Sequence, residues 1–138
     1  ESLALYINPN PRSLYQATFQ SIIELTKLLR DNKNSVNPHA EVMSCIQRSV
    51  GTKYFLDFDI DYKPFDFNEL NTFINRNCLD ILETRGGYHI LVRLKDIKPE
   101  FKSKFYNGFK TLNVDQTGDL LIPIPGCTQG GFVPKFIN

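Results

Sequence analysis

Apolar and acidic residues alternate from Lys53 to Tyr62, read as Lys-Tyr-Phe-Leu-Asp-Phe-Asp-Ile-Asp-Tyr. A period of two is that of a β-strand, so Phe55, Asp57, Asp59 and Asp61 fall on one face and Leu56, Phe58 and Ile60 on the other. One side of this strand is built for burial and the other concentrates negative charge. Upstream, Leu3 to Ile7 reads as a short strand stopped by Asn8-Pro9-Asn10-Pro11. Ser13 and Gln16 stand at capping-box spacing, and an apolar stripe from Tyr15 to Leu29 predicts a helix to about Arg30. Residues 31–38 are polar and Asn-rich, a loop. Glu41 to Val50 is expected to be a strand that turns at Gly51 to pair antiparallel with the acidic strand.

Downstream, Pro64 ends the acidic strand. Asp66 and Glu69 open a helix that buries Phe67, Leu70, Phe73 and Ile74. Leu79 to Leu82 and Tyr88 to Leu94 are strands joined through Glu83-Thr84-Arg85-Gly86-Gly87. Pro99 starts a helix carrying Phe101, Phe105, Phe109 and Leu112. Leu120 to Ile124, the turn Pro125-Gly126 and Phe132 to Ile137 close the sheet. The resulting class is α+β: a mixed or antiparallel sheet with helices packed on it, an N-terminal β-α-β unit preceding a ferredoxin-like half.

The chain has 138 residues, 41% hydrophobic and 22% charged, which suits one globular domain over 1–138. No apolar run is long enough to span a bilayer and no signal-peptide pattern opens the chain, so no membrane partner and a cytoplasmic address are expected. The net charge of +1 provides no strong field for a polyanion, so any nucleic-acid contact must use locally arranged cations. Cys45, Cys78 and Cys127 are odd in number and widely spaced, which argues against a disulfide framework or zinc knuckle and for core thiols.

Three stretches carry candidate chemistry. The row Asp57, Asp59, Asp61 costs stability unless a cation compensates it, and Mg²⁺ or Mn²⁺ takes carboxylate oxygens. The plain alternative is a solvated edge strand whose charges prevent aggregation. In Thr84-Arg85-Gly86-Gly87-Tyr88-His89, two glycines permit positive φ and close backbone approach, Arg85 offers a fork for phosphate, and His89 a further donor. An ordinary hairpin explains the same residues. Asp115 and Asp119 end the approach to Leu-Leu-Ile-Pro-Ile-Pro-Gly, as metal ligands or as turn formers.

The order of these three stretches resembles the archaeo-eukaryotic primase superfamily, the primase-polymerases. The likeness rests on Leu56-Asp57-Phe58-Asp59, on Thr84 to His89, and on Val114-Asp115 with Ile122-Pro123-Ile124-Pro125-Gly126-Cys127-Thr128-Gln129-Gly130-Gly131; Tyr6 to Arg12 is similar to the start of small phage and mobile-element members. The resemblance implies an RRM-like catalytic half and a two-metal nucleotidyltransferase that uses nucleoside triphosphates (NTP or dNTP), a single-stranded DNA template and Mg²⁺ or Mn²⁺. Asp57, Asp59 and Asp115 would hold the ions. Asp59 with Asp61 fits the first motif equally, and Asp119 competes with Asp115. Arg85, Gly86, Gly87 and His89 would bind the triphosphate, with Gln129 and Lys135 at late nucleotide contacts. A helicase or accessory domain would complete priming. The competing classes are a non-catalytic nucleic-acid-binding module stacking bases on Tyr54, Phe58 or Tyr88, and a metal-dependent nuclease.

Overall fold

The computed structural model describes residues 5–31, 37–49, 51–112, 114–115 and 121–137. They form two compact units, Asn10–Lys53 and the remainder, Glu1–Pro9 with Tyr54–Asn138.

The unit Asn10–Lys53 is a pair of packed helices, α1 (Leu14–Arg30) and α2 (Pro38–Arg48). Ser13 caps α1 by accepting the Gln16 N–H at 3.3 Å, and Lys27 and Arg30 favour the negative end of its dipole. The strand expected over 41–50 is instead α2. Its start is written in Asn37-Pro38: the Asn37 side chain accepts the Ala40 N–H at 3.2 Å and Pro38 occupies the first helical turn, where its missing N–H removes no bond. The two buried positions, Cys45 and Ser49, stand one helical turn apart, a spacing that outweighs the local strand preference of Val42 and Ile46. The predicted N-terminal β-α-β unit is therefore replaced by a helix pair, and the acidic strand takes a different partner. That unit's first strand is described at β1 (Tyr6–Ile7) only; residues 3 and 4 lie outside the described residues.

The second unit is antiparallel throughout. Its main sheet contains β2 (Phe55–Ile60), β3 (Leu79–Glu83), β4 (Tyr88–Arg93) and β6 (Lys135–Ile137) in the order β2-β4-β3-β6. A smaller ladder pairs β1 with β5 (Ile122–Pro123). Asp115 joins the sheet by a bridge to Asp59. Helical segments cover one face: 3-10 turns at Phe67–Thr72 and Pro99–Phe101, and α3 (Phe105–Thr111). The expected helices are thus shorter and tighter than their apolar spacing suggested, although Leu70, Phe73, Ile74, Phe101, Phe105, Phe109 and Leu112 all join the core or pack against it. Phe58 lies at its centre, 1% exposed and stacked on Phe109 with centroids 3.8 Å apart. Burial of a side chain of that size stabilises by roughly 1.5–3 kcal/mol. The opposite face has a smaller apolar cluster, Leu82, Leu91 and Ile122 with Phe55 beside it, and this is the face the acidic side chains share. Cys45 and Cys78 are buried thiols, whereas Cys127 is half-buried.

Candidate functional site

The two faces of β2 place the site. Because Leu56, Phe58 and Ile60 point into the helix-covered core, the strand's pleat turns Phe55, Asp57 and Asp59 the other way. In the ladder Asp59 lies opposite His89, and Asp57 opposite Leu91. His89 therefore emerges from β4 among the carboxylates. Its Nδ1 lies 3.1 Å from Asp57 Oδ2 and 3.9 Å from Asp59 Oδ1. Asp57 is 4% exposed, and its Oδ1 is buried with no hydrogen-bond partner among the described residues. With Nδ1 held by Asp57, Nε2 is the ring atom left for a ligand.

Asp115 reaches the same place from far along the chain. Its N–H donates to the Asp59 carbonyl at 3.2 Å and its carbonyl accepts the Asp59 N–H at 2.9 Å. Residues directly paired in an antiparallel bridge present their side chains on one face, so the Asp115 and Asp59 side chains share a face. Asp119, the competing ligand, lies outside the described residues.

The hairpin between β3 and β4 closes on itself. Thr84 N–H donates to the Gly87 carbonyl at 3.0 Å, and Gly87 N–H donates to Thr84 Oγ1 at 3.1 Å. Positive φ is not the reason for its glycines, since neither Gly86 nor Gly87 adopts it. Gly87 is required by crowding: a Cβ there would overlap the Ile60 carbonyl oxygen. A second turn, Gln129 to Phe132, is closed by N–H to carbonyl bonds of 2.6 and 2.9 Å, with Gly130 and Gly131 at φ +52° and +85°. There positive φ does require glycine. Arg85 Nη1 donates to the Gly130 carbonyl at 3.5 Å, so hairpin and turn meet.

These pieces enclose a cleft of about 220 Å³. The acidic strand contributes Asp59 and Asp61, the hairpin Thr84, Arg85 and Gly86, β4 His89, and the second turn Gln129. Tyr6 and Pro123, paired across the small ladder, complete the lining. Gln129 Nε2 is buried with no hydrogen-bond partner among the described residues, a donor for which a ligand would supply the acceptor. Asp57, Asp115, Gly87 and Lys135 do not line the cleft. Asp57 and Gly87 act behind it, and Lys135 Nζ faces Glu83 Oε2 at 3.8 Å at the β3–β6 edge.

The charges reinforce one another. Burial raises the Asp59 pKa above the ordinary aspartate value; His89 opposes the rise, and Asp61, Asp57 and Asp115 add to it. Burial by itself would lower the His89 pKa, but the hydrogen bond and charge of Asp57, with Asp59 and Asp61, hold it above the ordinary value. A proton on His89 is thus stabilised inside a cluster short of positive charge.

Carboxylate oxygens on one face are the donor type that hard divalent cations take, and Asp57 Oδ1 is an acceptor in want of a partner. The described residues contain no group of three His, Cys, Asp or Glu side chains already arranged to hold a metal ion. The donor set therefore fits Mg²⁺ or Mn²⁺ in chemistry, while the ion and its ligand would have to complete the coordination.

Three side chains at or behind the cleft have no site role assigned from sequence: Tyr6 and Pro123, which lie within stretches that carry the family resemblance, and Lys63. Lys63 carried one signal, a cation two residues after the acidic row. Of the proposed base-stacking residues, Phe58 is sealed in the core and Tyr88 packs edge-on against Phe67; Tyr54 is exposed. No helix among the described residues is long and apolar enough to cross a membrane. Comparison with known proteins returned no match to a family model, a curated protein or a solved structure.

Proposed function

We propose that this chain is the catalytic core of a primase or primase-polymerase, which joins nucleoside triphosphates on a single-stranded DNA template. The observation that carries the reading is the cleft itself, where acidic side chains of one strand meet a histidine, an arginine-bearing hairpin and an unpartnered amide donor. The chain path also supports it. β2, helical turns, β3, β4, α3 and the Asp115 bridge follow a β-α-β-β-α-β course with the first strand between the third and the last, as a ferredoxin-like or RRM-like half requires.

Magnesium or manganese, when bound, supplies activation of the attacking hydroxyl and neutralisation of the triphosphate charge. Asp59 and Asp61 would hold it from the cleft wall, Asp115 from beside Asp59, and Asp57 through the oxygen that His89 leaves unpartnered. Asp59 is common to both pairings allowed by the sequence. Arg85 offers its guanidinium fork to phosphate oxygens, His89 donates from Nε2, and Gln129 donates from its amide. Asp57 positions the imidazole. A pure binding module has no need of converging aspartates, and a nuclease has less need of a γ-phosphate cradle.

The test is incorporation of labelled nucleotides on a single-stranded template with Mn²⁺ or Mg²⁺, with and without a primer. Metal-dependent product that Asp59→Ala abolishes is the expected result. Shortening of the template or primer in place of extension would assign the acids to hydrolysis, and neither outcome with bound single-stranded DNA would leave a binding module.

A further inference from the structure

Among the described residues, Lys63 is a cation that touches several elements at the rear of the hairpin. Its Nζ donates to the Thr84 carbonyl at 2.6 Å and to Glu83 Oε1 at 2.9 Å. The same ammonium lies over the ring of Tyr88 at 5.2 Å and that of Phe132 at 5.0 Å. Thr84 opens the hairpin, Tyr88 follows it, and Phe132 closes the second turn through its paired bonds to Gln129. The chain delivers Lys63 from the end of β2, shortly after Asp61. A single side chain thus links the acidic strand to the hairpin and to the turn whose Gly130 carbonyl accepts from Arg85.

The Lys63 side chain is 28% exposed and does not line the cleft, so it has no direct path to a ligand there. Surface pairs of this kind contribute little to stability. A bond to a main-chain carbonyl differs, because it fixes backbone position rather than only pairing two flexible side chains. Without it, the Thr84 end of the turn keeps only the β2–β4 ladder and the Gly87–Ile60 approach as ties to the acidic strand, and the Phe132 ring loses its cationic cover.

We infer that Lys63 is a positioning residue: by bonding the Thr84 carbonyl and covering Phe132 it sets the hairpin and the Gln129 turn at the spacing that binds a nucleoside triphosphate. This rests on the triphosphate reading of the cleft. Misplacement of a binding loop through loss of an outer support commonly lowers affinity by on the order of 10-fold or more.

The experiment uses the full chain and a labelled non-hydrolysable nucleoside triphosphate with Mn²⁺, alongside binding of a labelled single-stranded oligonucleotide and amide hydrogen exchange over 84–88 without ligand. Lys63→Met should weaken triphosphate binding about 10-fold, speed exchange in the hairpin and leave oligonucleotide binding within about twofold. Lys63→Arg, which retains a donor, should recover most of the loss. Glu83→Gln, which retains the Thr84 contact, should stay close to wild type. Wild-type binding that Lys63→Met leaves unchanged overturns the assignment alone, as does an equal loss in Glu83→Gln. Failure of the wild-type chain to bind the triphosphate overturns the reading of the cleft and the assignment with it. If Lys63→Met does not fold, Lys63→Gln, which removes the charge and shortens the reach to the Thr84 carbonyl, takes its place with the same expected loss; unchanged triphosphate binding in that variant, or loss in Glu83→Gln without loss in Lys63→Arg, overturns the proposal.

Discussion

Replacing Asp59 by Asn should stabilise the metal-free protein. The Asp59 side chain is 25% exposed, its charged form is disfavoured first by burial and then by three other aspartates, and only His89 favours it. At 3.9 Å the attraction to a protonated His89 is about 1 kcal/mol in water and about 4 kcal/mol at an effective dielectric of 20. The direction of the Asp59 shift shows that burial and repulsion together exceed it. Removing such a functional-site charge typically returns ~1 kcal/mol, which for a chain of this size raises Tm by roughly 2–5 °C. Because the folded-state pKa is raised, the charged form is penalised at all pH above it; the advantage of the substitution is full at pH 8 and vanishes below the unfolded value of 3.8. Thermal unfolding at pH 8 in EDTA measures the effect. Adding Mn²⁺ should then invert the order, since a ligand at a hundred times its Kd stabilises wild type by about 2.7 kcal/mol and the variant lacks a ligating oxygen. An Asp59→Asn variant that is less stable than wild type in EDTA, or equally stabilised by Mn²⁺, would refute the reasoning.

Phe58→Ala removes the ring at the centre of the core and should cost about 3–5 kcal/mol of unfolding free energy; a urea titration showing under ~1 kcal/mol would contradict its burial. The raised His89 pKa predicts that folding stability and triphosphate affinity are highest below the ordinary value of 6.5 and decline as pH rises through the folded value, whereas His89→Gln should flatten both profiles. Gly87→Ala should displace the hairpin from Ile60 and weaken triphosphate binding more than Gly86→Ala, because a Cβ at Gly86 meets no atom within 4 Å; equal binding by the two variants argues against that close approach.

The acidic strand was legible because its alternation answers a simple physical demand, one face in the core and one outside. β3 and β4 were legible from their apolar, β-branched and aromatic content instead, and the core phenylalanines from helical spacing. What misled was local ambiguity. Val42 and Ile46 favour a strand by type, while the Asn37-Pro38 start and the four-residue recurrence of buried positions favour a helix, and packing against α1 decided it. The sequence marks Gly87 as a turn glycine, whereas the crowding that demands glycine there comes from Ile60 on another strand. The bridge from Asp115 to Asp59 and the reach of Lys63 to Thr84 are pairings between distant parts of the chain, for which neither periodicity nor spacing carries a signal. The two possible acidic pairs could not be separated from sequence, because a period of two puts Asp57, Asp59 and Asp61 on one face alike. In the fold the three differ in burial, with Asp57 enclosed on His89 and Asp61 exposed at the cleft.

On the function proposed above, the acidic strand and the hairpin form one site in which a divalent ion and a triphosphate stabilise each other. Coupling of that kind is reciprocal, and it is measured most directly by the Kd of a labelled nucleoside triphosphate with and without Mn²⁺. Wild type should bind at least about 10-fold more tightly with the ion, the size of a typical coupling free energy, and Asp59→Asn should lose that dependence while still binding weakly through Arg85 and His89. Triphosphate affinity that ignores Mn²⁺ in the wild-type chain would contradict the account.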